Sequence, residues 1–134
     1  MWIGLILVLL LWRQYGPGLP TETARGDSAI AEVFAQERSG LMVEVTGRVD
    51  RLLPEDLTGI PQQRFILKLK NGHILLILND LEYSDPVPLV EWDTVGVRGE
   101  YEWTAQGGKV SRTHRDPGFG LKHGWIEHKG KRYD

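Results

Sequence analysis

Between Leu41 and Asp50 the chain alternates strictly. Val43, Val45, Gly47 and Val49 fall on one side, and Glu44, Thr46, Arg48 and Asp50 on the other. A period of two puts successive side chains on opposite faces of an extended chain, so this segment predicts a half-buried strand, with Gly47 marking a bulge or sharp bend. A second apolar pattern, "RFILKLKNGHILLIL", is interrupted by Asn71-Gly72. Both residues tolerate positive φ, which predicts a two-residue type I′ hairpin. In that register Leu69 faces Ile74, Leu67 faces Leu76 and Phe65 faces Leu78 on the core side. Lys70–His73, Lys68–Leu75 and Ile66–Ile77 then form a mixed outer face, with His73 solvated beside the turn. Alternation returns in "DTVGVRGEYEWT", where Val95, Val97, Gly99, Tyr101 and Trp103 share a face; "AQGG" turns the chain and "KVSRTH" returns it.

The spacing changes before Leu41. In "GDSAIAEVFAQERSG", Ile30, Val33 and Phe34 fall on one helical face, Asp27 or Ser28 supplies an N-cap, and Gly40 suits the left-handed position that ends a helix. "NDLEYSDPVPLVEW" has two prolines and no period, and reads as a loop. One short amphipathic helix followed by five strands, the first bent and the rest in two hairpins, predicts a mainly β fold: a small five-stranded OB-like Greek-key barrel over residues 27–134.

The N-terminus is of another kind. "WIGLILVLLLW" has no polar side chain, and as a helix its eleven residues would span about 17 Å against a hydrocarbon core of about 30 Å. It resembles a signal-peptide core, although no Lys or Arg precedes it and no A-x-A-like site follows. Residues 1–13 are expected to be a signal or membrane-anchor segment, and 14–26, with "GPGLP", a linker. The expected location is the cell envelope, exported or inner-membrane-anchored, with the membrane a partner through this segment if it stays uncleaved.

The net charge of -2 hides an asymmetry. Gly107–Asp134 holds seven Lys or Arg against three Asp or Glu, while the rest holds nine against fifteen. A basic C-terminal stretch carrying Phe119, Trp125 and Tyr133 could meet an anion, although such charges commonly form a solvated face. The absence of cysteine excludes disulfides, thiolate metal sites and thiol catalysis. "THRDPGFGLKHGW" gathers His114, Asp116 and His123, which under one reading ligate a divalent metal with an open position for water. Under the other, Asp116 accepts from backbone N–H groups or from Arg115, and His114 caps the loop. Ser111 lacks the surroundings of a serine nucleophile, and Gly107-Gly108 is a hairpin turn, not a phosphate loop.

The blocks "QQRFILKLKNGHILLI", "VGVRGEYEWTAQGGKVSRTHRDP" and "HGWIEHKGKRYD" together resemble the bacterial family called domain of unknown function 3465, over roughly Gly47 to Tyr133. Its members look like exported or envelope proteins of similar length. The family's pattern has histidine where this chain has Gln62, Leu78 and Arg115, while Asn79, His114, Asp116, Pro117, His123, Gly124 and Trp125 match it. A family metal site built on the missing histidines would be depleted here.

Three functions are compatible with this sequence. The first is a non-catalytic module binding an anionic or oligomeric ligand through Arg64, Lys68, Asn79, Arg112, Arg115 and Trp125, with Trp103 added if its ring faces outward. The second is a metal-dependent hydrolase using His114, Asp116 and His123, with Glu100 or Glu102 as base. The third is an assembly protein that binds an envelope partner.

Overall fold

The computed structural model describes residues 23–116, 118 and 123–134. The expected signal or anchor segment, residues 1–13, and the linker as far as Glu22 lie outside the described residues. Within them the chain forms β1 (Thr23–Arg25), α1 (Asp27–Ala35), β2 (Leu41–Asp56), β3 (Gln62–Lys68), β4 (Ile74–Asp80), β5 (Thr94–Glu102), β6 (Lys109–Ser111), β7 (Trp125–His128) and β8 (Lys131–Tyr133). The fold is mainly β with one short helix. Its described strands join in one eight-stranded sheet, ordered β1-β2-β3-β4-β6-β5-β7-β8, in which β2 also pairs with β5.

Five strands were expected; β1, β7 and β8 extend the sheet beyond them. Thr23–Arg25, expected to close the linker, is a strand that pairs in parallel with Met42–Glu44. Three residues leave no room for a periodic pattern, so the pairing could not be read locally. The long strand β2 serves two neighbours. From Leu41 to Arg48 it runs antiparallel to β5, and from Arg48 onward antiparallel to β3. Gly47 sits at this handover in regular register, and the bulge expected there comes later, between Val49 and Arg51. Glycine is needed at 47 for close approach: a Cβ would lie 2.7 Å from the Lys68 carbonyl oxygen.

The β3–β4 hairpin is displaced by one residue from the expected register. Lys68 pairs with Ile74, Leu67 with Leu75 and Phe65 with Ile77. The Gly72 N–H donates to the Leu69 carbonyl and the Leu69 N–H to that of His73, so three residues make the turn. Gly72 is at φ 88, while Asn71 is not among the residues with positive φ. This is the geometry of a type I turn closed by a glycine bulge. The shift turns every β4 side chain over: Leu75, Ile77 and Asn79 are buried, and Ile74, Leu76 and Leu78 face outward. His73 is half-buried; its Nε2 lies 2.7 Å from the Gly107 carbonyl oxygen and its ring meets that of Phe34 in a T-shaped contact.

The core follows the alternation of β2, β3 and β5, with Val43, Val45, Val49, Phe65, Leu67, Val95, Val97 and Tyr101 buried. Burying an aromatic such as Phe65 stabilises by roughly 1.5–3 kcal/mol. The proline-containing loop adds Val87 and Leu89 to the same cluster. Tyr101 donates its hydroxyl to the Gly107 carbonyl at 2.8 Å, and burial raises its pKa. The helix α1 buries Ile30 and Val33 as expected, but no side chain caps it. Asp27 instead accepts the Lys70 N–H at 3.0 Å, fastening the helix to the hairpin turn. The helix also ends before Gly40, with Glu37 in the left-handed region at φ 52.

Candidate functional site

The expected binding residues do not form one surface. Arg64 gives both Nε and Nη2 to the Pro54 carbonyl, at 3.1 and 3.0 Å, bracing the far end of the β2–β3 pair. Asn79 is fully buried. Its amide donates to Gln63 Oε1 and the Asp85 carbonyl, at 3.1 and 3.3 Å, holding the loop after β4. Arg112 pairs with Glu100 and Arg115 with Asp134, at 3.1 and 3.2 Å. The Trp125 ring is covered by the Arg132 guanidinium, 4.2 Å from its centroid. Trp103 points inward, its Nε1 donating to the Phe34 carbonyl at 3.1 Å. Glu100 and Glu102 are committed to Arg112 and Lys109. Of the named cations, Lys68 has no hydrogen bond or ion pair from its side chain among the described residues.

The described residues between His114 and His123 are held by one another and by their neighbours. The Asp116 N–H donates to His123 Nδ1 at 3.3 Å, and Asp116 Oδ1 accepts the Gly118 N–H at 2.9 Å. His114 stacks on Tyr83 with 4.7 Å between centroids, and its carbonyl accepts the Gly124 N–H. Asp80, Tyr83, Arg112, His114 and Asp116 line a pocket of about 270 Å³. Among the described residues no group of three or more His, Cys, Asp or Glu is placed to hold a metal ion.

A larger groove, about 530 Å³, opens where β2 passes from β5 to β3. Arg48, Lys68, Lys70, Asp50 and Trp92 stand round it, over a floor that includes Gly47 and Leu69. Arg48 is in direct register with Lys68 on one side and Thr94 on the other. Like charges opposite one another across a strand pair repel, by roughly 0.2–1 kcal/mol. No acid among the described residues forms a salt bridge with Arg48, Lys68 or Lys70. The groove thus holds three cations against the single carboxylate of Asp50.

Trp92 is the most unusual residue of the groove. It is 67% exposed and sits at φ 76, a region that is costly for a bulky side chain. Its turn is pinned from three directions. The Trp92 N–H donates to the Val49 carbonyl at 2.7 Å, and the Val49 N–H to the Asp93 carbonyl at 2.8 Å. Asp93 Oδ2 accepts the Val90 N–H at 3.0 Å and lies 2.8 Å from Nε2 of the buried His128. The Val90 N–H first, and then His128, hold the Asp93 carboxyl below its usual pKa. Arg48, Lys70 and Trp92 were not singled out in the sequence. "LKLK" did mark the outer face of β3, but nothing local indicated that Trp92 would stand across from it.

No curated protein matches the chain. The family described as "Protein of unknown function (DUF3465)" matches residues 18–134, a span that takes in every described strand and the helix, so the chain belongs to that family.

Proposed function

We propose that this chain is a non-catalytic module of the cell envelope that binds an anionic, oligomeric ligand on a small OB-like barrel. The barrel reading is supported by the pairing path. From β2 it passes to β3, β4, β6 and β5 and returns to β2, with the β4–β6 step parallel. Five strands in a closed Greek-key circuit are the plan of such barrels, which commonly bind ligands across an outer strand face. The apolar run of residues 2–12 supports placement at the envelope, exported or inner-membrane-anchored. Among the described residues no helix is long and apolar enough to cross a membrane.

The observation that carries the binding reading is the Arg48–Lys68 register pair. Two cations opposed across a strand pair, with Lys70 beside them and no salt bridge to relieve them among the described residues, form a local excess of positive charge that a bound polyanion would neutralise. The test uses the full-length chain in mild detergent. Labelled inorganic polyphosphate and a labelled dT oligonucleotide of about 12 residues are titrated over a range of salt concentrations. Three neutralised phosphates predict a slope of log K on log salt of about -2 for a single strand. The Arg48→Ala, Lys68→Ala, Lys70→Ala triple variant should bring it close to zero. Absence of saturable binding to either probe at low salt would end the proposal.

A further inference from the structure

We infer that the anionic oligomer is a single-stranded nucleic acid and that Trp92 is the platform on which one of its bases stacks. This rests on the groove being the binding site named above. An indole that is mostly in water buries little surface in the fold, and its left-handed backbone works against stability. The fold nevertheless fixes the turn that carries it: both sides of the turn bond to Val49, and the Asp93 carboxylate anchors the turn's start and meets His128. Among the described residues no aromatic ring or cation covers the indole. An uncovered aromatic face on a backbone held in place is what a planar ring stacks on, and fixing that backbone beforehand lowers the cost of ordering it on binding.

The charges beside it narrow the class. Arg48 and Lys68 are on adjacent strands, about 5 Å apart across the pair, and Lys70 lies two residues on, about 7 Å further along the chain. Cations at this spacing suit a chain that carries an anion on every unit. An exposed ring together with closely spaced cations therefore calls for a polymer with both a flat ring and a charge per unit. In a duplex the base faces are already stacked on their neighbours, so a surface indole reaches a base only in a single strand.

The experiment compares a dT oligonucleotide with an abasic oligonucleotide of the same length and charge, binding to the full-length chain in detergent. Affinity is read by anisotropy and stacking by quenching of tryptophan emission. The dT strand should bind about 10-fold more tightly or better. Trp92→Ala should lower dT to the abasic level and remove the quenching, while Trp92→Phe keeps most of the preference; thermal melts of both variants establish that they are folded. Equal binding of the two oligonucleotides would overturn the nucleic-acid inference and leave the anionic-ligand reading standing. Tighter, Trp92-dependent binding of heparin would overturn it in favour of an acidic glycan. Binding of none of these probes would overturn both.

Discussion

Two regions of this protein are basic, and they use their charge in opposite ways. In the C-terminal region cations meet acids. Lys109 lies directly across from Glu102 in the β5–β6 register, and Arg112, Arg115 and Arg132 bond Glu100, Asp134 and Glu127. Lys131 lies over the Tyr133 ring. In the groove, Arg48 faces Lys68, and no acid among the described residues forms a salt bridge with either. The excess of positive charge in the sequence points to the first region; among the described residues, three neighbouring cations with no salt bridge stand in the second. Pairing across strands decides availability, and it depends on register, which a count of residues does not contain.

Turning one region into the other gives the largest expected effect. Lys68→Glu places a carboxylate opposite Arg48, making the groove resemble the β5–β6 edge. Stability should rise by roughly 0.2–1 kcal/mol in thermal or urea melts. Binding of the anionic probes should weaken at least 10-fold, with a shallower salt slope. A variant that binds as tightly as the wild type would remove the contrast.

Acid acts on the turn that carries Trp92. Because Asp93 has a folded pKa below 3.8, its contribution to stability is fully present above that value and is lost as the pH falls through the folded pKa. Melting temperature should therefore fall as the pH is lowered below about 4. Asp56, lowered chiefly by the Thr58 hydroxyl and then by the Thr58 N–H, adds to the same window. Asp93→Asn should flatten the drop without abolishing it; an unchanged acid profile would show that the Asp93 contacts do not hold the turn in solution.

The smallest effect belongs to the paired region. Arg112→Ala with Arg115→Ala should leave polyanion affinity within about twofold, and should cost no more than about 1 kcal/mol of stability, since exposed ion pairs contribute little. A large loss of affinity would return the site to the C-terminal loop.

How far the sequence led differs from element to element. The alternation in β2 and β5 identified Val43, Val45, Val49, Val95, Val97 and Tyr101 as inward-facing, and the helix face was read correctly from Ile30 and Val33. The hairpin was located but its register missed by one. "ILLIL" offers apolar residues to either face, and Gly72 serves either turn, so neither pattern nor turn chemistry separated the alternatives. The groove was legible only at Lys68. Its other members come from β2 itself, from the end of the hairpin and from the turn and strand start at Trp92–Thr94, which meet because β2 changes partners at Arg48. Asn79 was expected to touch ligand; the same register shift that buried it made it a strut for the following loop.

That circuit of strands also fixes the order in which the sheet comes apart. Where β2 and β5 pair all the way from Leu41–Tyr101 to Arg48–Thr94, β4 and β6 meet only through Leu76–Lys109 and Ile77–Val110. The Leu76 N–H to the Gly108 carbonyl and the Thr113 hydroxyl to the Leu78 carbonyl, each 3.1 Å, lengthen this seam on either side. A loop fastened at one short clasp opens there first. Amide hydrogen exchange along the seam should run ahead of the β2–β5 ladder and report an opening smaller than global unfolding. The groove, set on the β2 side of the circuit, would keep its shape while the clasp is undone.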